Sequence, residues 1–503
     1  MGSEEPRRVK TTVRQTEIAV LGAGPAGIAA ALAASEAGAA VTIVDEYPRP
    51  GGQIYRQPPE AFRVRRPDAL GKEYAAAQRL SRKLAGSSVE LLTGTLVWGV
   101  EKDRTLLLYE ELGAGLELKA EAIIVASGAY DRPIAFPGWT LPGVWTAGGA
   151  QAMLKSQRIV PGRRVLVAGA GPLLLPLATA LVQAGAKVVG VVEATTRLEW
   201  ALQAHRMLGH WARMRDALHY EAALLRARVP RFFGHVVIRA EGAGGVERAT
   251  IAAGDRQWRP RPGTEKTFEV DLLCIGYGFL SSMELPWLLG CQMDFHRLQE
   301  QYLPRHGPDM ESSVPGVFVA GETTGVGGAE LALAEGEIAG LAAARRVGHV
   351  LGAERQREMA AAQASRRRHL GFARMLDDLF AMRPGIYELA QPDTPLCRCE
   401  EVTVAEIHEA IGQGANSVRA VKARTRVGMG PCQGRICDSL VAHLVARETG
   451  RSVGEVLDIT PRPPVKPVPL GVLACHALLP ADDFAMPEGG ADRLARAEAG
   501  EGR

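Results

Sequence analysis

Residues 17–27 read EIAVLGAGPAG, a short apolar run that leads directly into a Gly-x-Gly-x-x-Gly turn. The alanine-rich residues 28–37 then predict a helix, and residues 40–44 predict a second buried strand that ends at Asp45. Glycines permit a tight turn and close approach to a pyrophosphate, while an acid about 20 residues further on can bind ribose hydroxyls. With both strands and the helix in place, the pattern predicts a dinucleotide site. The residues assigned to this site are Gly22, Gly24, Pro25, Ala26, Gly27, Asp45 and Glu46.

A second glycine-rich turn follows in residues 163–176, RRVLVAGAGPLLLP, with a further strand over residues 187–192. Its candidate nucleotide-binding residues are Gly169, Gly171 and Glu193. The position of the third glycine holds Leu174, which disturbs close helix–strand packing, and Pro176 lacks a backbone N–H. The pattern therefore predicts a second βαβ unit. It leaves three alternatives for the ligand: NAD(P)H, another adenine nucleotide such as ATP, or none.

Four cysteines near the C-terminus form two closely spaced pairs. Cys397 and Cys399 make a Cys-x-Cys pair, and Cys432 and Cys437 lie in residues 428–437, GMGPCQGRIC. Four thiolates on two turns are the ligand set of a [2Fe–2S] cluster. Structural zinc also takes four cysteines but usually as Cys-x2–4-Cys knuckles, so the spacing favours the cluster and leaves zinc and free thiols as alternatives.

Four basic residues surround the second cysteine pair. Their charge can offset a negative cluster, or they can form an ordinary solvated face, and the sequence favours neither alternative. They are Lys422, Arg424, Arg426 and Arg435.

The bulk composition is that of a soluble globular protein of two to four domains. The 503 residues carry 59 basic and 56 acidic side chains, so a nucleic-acid partner is not indicated. Residues 165–182 are almost wholly apolar, but Gly169, Gly171, Pro172 and Pro176 argue against a membrane span. Residues 1–15 are polar and basic without an apolar core, so we expect no export signal and a cytoplasmic location.

Several further stretches resemble the glutathione-reductase-like flavoproteins. Residues 313–329 contain a strand that ends in Gly-Glu, where that family has an aspartate that holds the flavin ribitol chain. Residues 50–56 resemble the loop beside the flavin, residues 121–128 resemble the strand that crosses between the two nucleotide domains, and residues 271–278 resemble the strand that returns to the FAD domain. The resemblance implies FAD at the first site, with the helix after residue 328 directed at the isoalloxazine ring. The residues that it adds are Gly52, Gln53, Ala126, Ser127, Gly128, Gly321, Glu322 and Gly328.

The order of these features resembles the alpha (A) subunits of heteromeric amine dehydrogenases, such as opine oxidase, hydroxyproline dehydrogenase, hydrogen cyanide synthase and archaeal proline dehydrogenase. The cysteine region is similar to the bacterioferritin-associated ferredoxin fold. The resemblance implies an electron-transfer subunit with FAD and [2Fe–2S]. In that family a partner beta flavoprotein oxidises an amino acid or a secondary amine, and FMN at a subunit interface and a small gamma subunit can also be present. The sequence indicates no catalytic residue on this chain.

The predicted fold class is α/β, with two Rossmann-like domains, the second inserted in the first, and a small helical cluster domain. The alternative functions are a self-sufficient NAD(P)H-dependent FAD/[2Fe–2S] reductase and a scaffold subunit with structural nucleotides. The predicted domains are an FAD-binding domain of residues 15–150 and 280–345, a second nucleotide domain of 151–279, a helical linker of 346–390, a [2Fe–2S] domain of 391–450, and a proline-rich tail of 451–503 with a disordered end.

Overall fold

The computed structural model describes residues 12–59, 61–64, 71–101, 103–110 and 115–475. It has the predicted α/β architecture, with strands and helices alternating through the first two nucleotide units and helices alone around the cysteines. The predicted disorder at residues 487–503 lies outside the described part of the chain.

The strands form two large, mainly parallel sheets and three smaller antiparallel ones. In chain order the strands in the described residues are β1 Thr12–Leu21, β2 Val41–Val44, β3 Glu90–Leu92, β4 Thr95–Val100, β5 Leu106–Glu110, β6 Gly115–Val125, β7 Ala129–Asp131, β8 Val144–Thr146, β9 Arg164–Gly169, β10 Lys187–Glu193, β11 Arg231–Phe233, β12 His235–Glu241, β13 Arg248–Ala253, β14 Lys266–Glu269, β15 Leu272–Gly276, β16 Phe279–Ser281, β17 Met293–His296, β18 Gln301–Pro304 and β19 Val317–Val319.

The helices cover the sheets and make up most of the C-terminal region. In chain order the α-helices in the described residues are α1 Pro25–Glu36, α2 Gly71–Ala85, α3 Ala147–Ala152, α4 Leu174–Gln183, α5 Arg197–Gln203, α6 Trp211–Arg226, α7 Glu284–Leu288, α8 Ala329–Arg346, α9 Ala353–Leu379, α10 Val404–Gly412, α11 Val418–Thr425, α12 Asp438–Thr449, α13 Val453–Val456 and α14 Leu470–Cys475.

The first sheet has the order β3-β2-β1-β6-β5-β4, and β19 joins it beside the C-terminal half of β6. Strand β1 is parallel to both β2 and β6, and its last four residues are buried because helices cover both faces of a parallel sheet. Strand β19 comes from far along the chain, so the sheet is built from two separate segments. The loops that carry the first candidate site meet at the C-terminal edge of this sheet.

The second sheet is wholly parallel, in the order β11-β10-β9-β15-β8. The boundary predicted at residue 150 assigns β8 to the first domain, but β8 pairs with β15 in the second sheet, so the boundary lies before residue 144 there. Strand β15, which resembled the strand returning to the FAD domain, also belongs to the second sheet. The return is made by β16, which pairs with β7.

Helices α1 and α8 pack unusually closely, which explains their alanine- and glycine-rich sequences. A Cβ atom on Gly336 would lie 2.1 Å from the carbonyl oxygen of Ala26, and one on Gly340 would lie 2.1 Å from that of Ala30. Only glycine allows the two backbones to approach this far. The contact fixes the start of α8 over the first glycine-rich turn.

The C-terminal helices share a buried core with the second nucleotide unit. Cys397, Cys437 and Ile407 belong to the same apolar cluster as Trp139. The Trp139 indole Nε1 donates a 2.7 Å hydrogen bond to the Pro395 carbonyl. The first helix of this region, α10, starts with a capping box formed by Thr403 and Glu406. The cysteine region is therefore packed onto the preceding domains.

The apolar run that could be mistaken for a membrane span forms β9, a turn and α4, as predicted. Within the described ranges, no helix has the length and apolar character needed to cross a bilayer.

Candidate functional site

The first glycine-rich turn has the backbone that its sequence predicts. Gly22 has a φ of 109°, a conformation that favours glycine, and a Cβ on it would lie 2.4 Å from the Ala126 carbonyl oxygen. A Cβ on Gly27 would lie 1.8 Å from the Gly22 carbonyl oxygen. Helix α1 begins at Pro25, immediately after Gly24, so its N-terminus opens at the turn as a phosphate-binding helix requires.

Asp45 lies at the end of β2 and braces the same turn. Its carboxylate accepts backbone hydrogen bonds from Ala23 at 2.5 Å and from Tyr47 at 2.7 Å. Burial raises the pKa of Asp45, although both hydrogen bonds oppose this. Its neighbour Glu46 points elsewhere and pairs with Lys466 in the tail.

The loop after β2 is seated on the turn. Gly51 donates a 2.7 Å hydrogen bond to the Ala23 carbonyl, and a Cβ on Gly52 would lie 2.8 Å from the Gly24 Cα. The adjacent Gln53 is exposed and accepts a 2.7 Å hydrogen bond from Arg56. The structure thus places Gly52 directly against the turn, with Gln53 as its neighbour in the chain.

The crossover and the Gly-Glu turn meet on the other side of this cleft. The Ser127 hydroxyl donates to the Ser282 carbonyl at 2.9 Å and lies 3.4 Å from the Thr323 hydroxyl. Burial raises the pKa of Glu322 to about 6, and within the described part of the chain its carboxyl group makes no hydrogen bond. Glu322 is half-buried, and a carboxyl group in such a position without a hydrogen-bond partner is a feature expected of a ligand site.

Glu335 on α8 is a site residue that sequence reasoning missed. It is 1% exposed and accepts hydrogen bonds from the Gly321 backbone at 3.1 Å and from the Thr324 hydroxyl at 2.8 Å. Arg366 of α9 donates a further bond at 2.9 Å. Glu335 therefore holds the turn that presents Glu322. The sequence feature that could have indicated this residue is a glutamate inside an alanine-rich helix.

The second glycine-rich turn lies in a βαβ unit like the first, but its helix does not begin directly after the second glycine. Burial raises the pKa of Glu193 to about 7, although its carboxylate receives hydrogen bonds from Thr195 and from the Gly171 backbone. Helix α4 begins at Leu174, which is 1% exposed. The Leu174 side chain approaches Gly276, whose added Cβ would meet it at 3.3 Å. The leucine fills the space that a third glycine leaves for close packing.

The four cysteines lie close together. The Cys432 thiol lies near the Cys399 thiol, and the Cys437 thiol lies near those of Cys397 and Cys432. A Cβ on Gly430 would lie 2.2 Å from the Cys399 Cβ, so the two cysteine loops touch directly. Burial raises the pKa of Cys437, and nearby Asp438 adds to this. Across the described residues, no group of three or more histidine, cysteine or acidic side chains is arranged to hold a metal ion.

Arg435 joins the second cysteine loop to the first nucleotide domain. Its Nη1 donates to the Cys432 carbonyl at 3.1 Å, and its Nε lies 2.6 Å from the Glu284 carboxylate on α7. The neighbouring Tyr130 on β7 follows directly from the crossover, and burial raises its pKa, with Glu284 and Asp438 adding to the effect. The second cysteine loop is therefore joined to α7 of the first nucleotide domain.

The other basic residues near the cysteines divide between the two predicted alternatives, a charge that faces the cysteine loop and an ordinary solvated surface. Lys422 turns inward and donates a 2.9 Å hydrogen bond to the Gly428 carbonyl. Arg426 is exposed and pairs with Glu400 at 3.0 Å, and Arg424 is also exposed. Two of the four side chains face the cysteine loop and two face solvent.

A buried polar network forms a second link between the cysteine region and the first domain. Arg132 is 4% exposed and lies 3.3 Å from Glu300, which also accepts a 2.8 Å bond from the Tyr387 hydroxyl. His443 of α12 stacks on Tyr387 and lies 3.1 Å from Glu300. Burial acts to raise the pKa of Glu300, but these neighbours outweigh it and lower the pKa.

The comparisons with known proteins agree with this architecture. The chain matches the pyridine nucleotide-disulphide oxidoreductase family over residues 16–356 and the sarcosine oxidase A3 domain over residues 396–477. The similar solved structures include L-proline dehydrogenase from P. horikoshii, with a TM-score of 0.67 and 20% identity, over 94% of this chain and 82% of that one. This likeness supports the fold.

Two curated relatives are similar over nearly their whole length. The A subunit of opine oxidase from Rhizobium meliloti is 34% identical over 472 residues, which cover 91% of this chain and 87% of that protein. The HcnB subunit of hydrogen cyanide synthase from Pseudomonas aeruginosa is 34% identical over 465 residues, which cover 90% and 96% respectively. The chain therefore belongs to the pyridine nucleotide-disulphide oxidoreductase family, in the group that contains the A subunits of opine oxidases and the HcnB subunit of hydrogen cyanide synthase.

Proposed function

We propose that this chain is the electron-transfer subunit of a heteromeric dehydrogenase that oxidises an amino acid or a secondary amine at a partner flavoprotein. The observation that carries the proposal is the link between the cysteine loop and the first nucleotide domain. Arg435 binds the Cys432 carbonyl and Glu284 at once, so the cysteine loop is joined to α7 of that domain. We propose that two cofactors held in these joined domains exchange electrons within one chain.

The first site fits FAD. Gly22 and Gly52 allow the backbone segments around the turn to pack closely, α1 opens its N-terminus there, and Glu322 offers an unpaired carboxyl group. When bound, a flavin connects two-electron and one-electron chemistry. In this proposal Asp45 supports the ribose end, Glu322 meets the ribitol chain, and Glu335 keeps the Gly321 turn in place.

The cysteine site fits a two-iron cluster better than zinc. Zinc takes its four ligands in one compact tetrahedron, whereas in a two-iron cluster each iron takes two of the four protein ligands. The proximity of Cys399 to Cys432 and of Cys397 to Cys437 is compatible with the second arrangement, and the Cys-x-Cys spacing of Cys397 and Cys399 is uncommon for zinc. Lys422 and Arg435 supply positive charge beside the loops.

The oxidation itself belongs to a partner in this proposal, because we identify no substrate-binding group among the described residues. The relatives are named as the A subunit of opine oxidase and the HcnB subunit of hydrogen cyanide synthase, which supports a partner chain. We propose a beta flavoprotein as the catalytic subunit, with interface FMN and a small gamma subunit as further components. For the second site we propose an adenine nucleotide that is not oxidised, since Leu174 occupies the place of the third glycine.

The test is Cys432→Ser in the complex with the catalytic subunit. We expect the visible absorption of the cluster and the coupled reduction of a dye to be lost, while FAD stays bound and the catalytic subunit still binds its amine. Cys291→Ser is the control, because Cys291 is a buried cysteine that lies beside Ser312, outside the cysteine loops. Dye reduction at the wild-type rate in the Cys432 variant would refute the electron-transfer role.

A further inference from the structure

Helix α6 exposes a stripe of large apolar side chains. Trp211 is 66% exposed, Leu218 is 69% exposed and Leu225 is 78% exposed. Residues seven apart lie on nearly the same side of a helix, so the three side chains form one stripe about 21 Å long. Exposed apolar groups are normal when they are scattered singly, but the segment from Leu198 to Leu225 holds six of the fifteen large ones among the described residues.

The opposite side of α6 is firmly packed, so the exposure does not come from a detached helix. Leu224 is 1% exposed in the core of the second domain. Arg213 pairs with Glu330 on α8, and Asp216 pairs with Lys72 on α2. The helix is held on one side by the protein and presents an apolar stripe on the other.

The helix that carries the stripe lies next to the proposed flavin site. Arg213 Nη2 lies 3.8 Å from where a Cβ on Gly328 would be, and Gly328 is the residue that immediately precedes α8. Tyr55, in the loop over the glycine turn, also lies near Arg213 and Glu330. Burial is the largest cause of its raised pKa, and Glu330 adds to it. A chain that docks on the stripe is therefore separated from the start of α8 by about the width of one helix, roughly 10–12 Å.

The charges around the stripe indicate the kind of partner. The acidic residues of this segment are already engaged, Asp216 with Lys72 and Glu221 with Arg231. The basic residues at the rim form no ion pair within the part of the chain described; they are Arg215, Arg226 and Arg228. Two copies of this face would bring equal charges together, which disfavours a symmetric contact.

We propose that the Trp211–Leu218–Leu225 stripe is the docking surface for the catalytic subunit, which offers a complementary apolar face with an acidic rim. This inference rests on the proposed function and deepens it, since it places the electron donor beside the start of α8. A buried apolar centre with a charged rim is the usual construction of a specific protein interface.

The test uses Leu218→Glu with Leu225→Glu in the full FAD-loaded chain, co-expressed with the catalytic flavoprotein subunit. Glutamate keeps a good helix propensity but opposes an acidic rim. We expect the double variant to bind its catalytic partner about 30-fold more weakly or worse, with unchanged FAD content and circular dichroism. Val350→Glu is the matched control, because Val350 is 93% exposed and lies outside this segment.

Each alternative outcome is distinguishable. Equal binding by the wild-type chain and the double variant would overturn the surface but leave the proposed function standing. A wild-type chain that binds no flavoprotein subunit would overturn both. Light scattering that shows a wild-type dimer and a monomeric variant would assign the stripe to a second copy. If the wild-type chain bound phosphatidylcholine–phosphatidylglycerol vesicles and the double variant did not, the stripe would be assigned to a lipid surface. Either of these last two results would overturn the proposal.

Discussion

Replacing Glu335 with alanine should loosen the turn that carries Glu322. The carboxylate of Glu335 is 1% exposed and receives three hydrogen bonds, from Gly321, Thr324 and Arg366. Removing one partner of a buried ion pair costs about 3–5 kcal/mol, and a hydrogen bond to a charged group contributes about 1.5–3 kcal/mol. Arg366 keeps some contact with water at 19% exposure, so we expect the lower end, about 3 kcal/mol.

The assay is hydrogen exchange of the peptide that contains residues 321–324. The Gly321 amide donates directly to Glu335, so its protection reports the broken contact. A loss of about 3 kcal/mol corresponds to exchange that is faster by more than about 100-fold. Glu335→Gln retains the shape and one acceptor oxygen and should give a smaller increase. Glu354→Ala, an exposed change on α9, should give none. Exchange that changes less than about tenfold in the alanine variant, with FAD fully retained, would refute the reasoning.

Three further predictions concern the two nucleotide units and the cysteine loop. Gly27→Ala should abolish FAD retention on purification, because its Cβ would lie 1.8 Å from the Gly22 carbonyl oxygen. Glu193→Gln should stabilise the chain by up to about 3 kcal/mol at about pH 8 and by little at about pH 4.5 in thermal melts. Burial raises the pKa of Glu193 from 4.5 to about 7, so the folded state binds the proton more tightly and loses stability as pH rises through that window. Arg435→Gln should lower the midpoint potential of the proposed cluster in a potentiometric titration, since a positive charge beside Cys432 is removed.

Matched variants separate these effects from general instability. Gly371→Ala adds a Cβ to a helical glycine that has no neighbour within 4 Å, so FAD should stay bound. Arg424→Gln removes an exposed charge and should leave the potential unchanged. Retained FAD in the Gly27 variant, a Glu193 variant with the same pH dependence as the wild type, or an unchanged potential in the Arg435 variant would each contradict the corresponding prediction.

The local parts of the fold were predictable because each is set by neighbouring residues. The first βαβ unit follows from apolar strands, three glycines and Asp45 in one short stretch, and the structure confirms its strands and helix. The capping box of Thr403 and Glu406 also depends only on residues three apart. At the second unit, the βαβ arrangement was predicted and is confirmed, and the structure adds that α4 begins at Leu174, the position of the third glycine.

The contacts between distant segments were not predictable in the same way. Glu335 meets Arg366 across two helices, and Arg435 meets Glu284 across two domains, with no periodicity that would pair them. The domain boundary predicted near residue 150 was wrong because β8 is only three residues long, and only its pairing with β15 shows to which sheet it belongs. The apolar stripe on α6 has a helical spacing, but spacing alone cannot say which face of a helix is left exposed.

The most direct measurement of the electron-transfer role is an anaerobic titration of the purified, cofactor-loaded chain with NADH and NADPH, followed by visible absorption. We predict no bleaching of the flavin at stoichiometric nicotinamide and full reduction by dithionite, because Leu174 fills the second glycine turn and electrons arrive from a partner chain. Bleaching by either nicotinamide without a partner would contradict this role and make the chain a reductase in its own right.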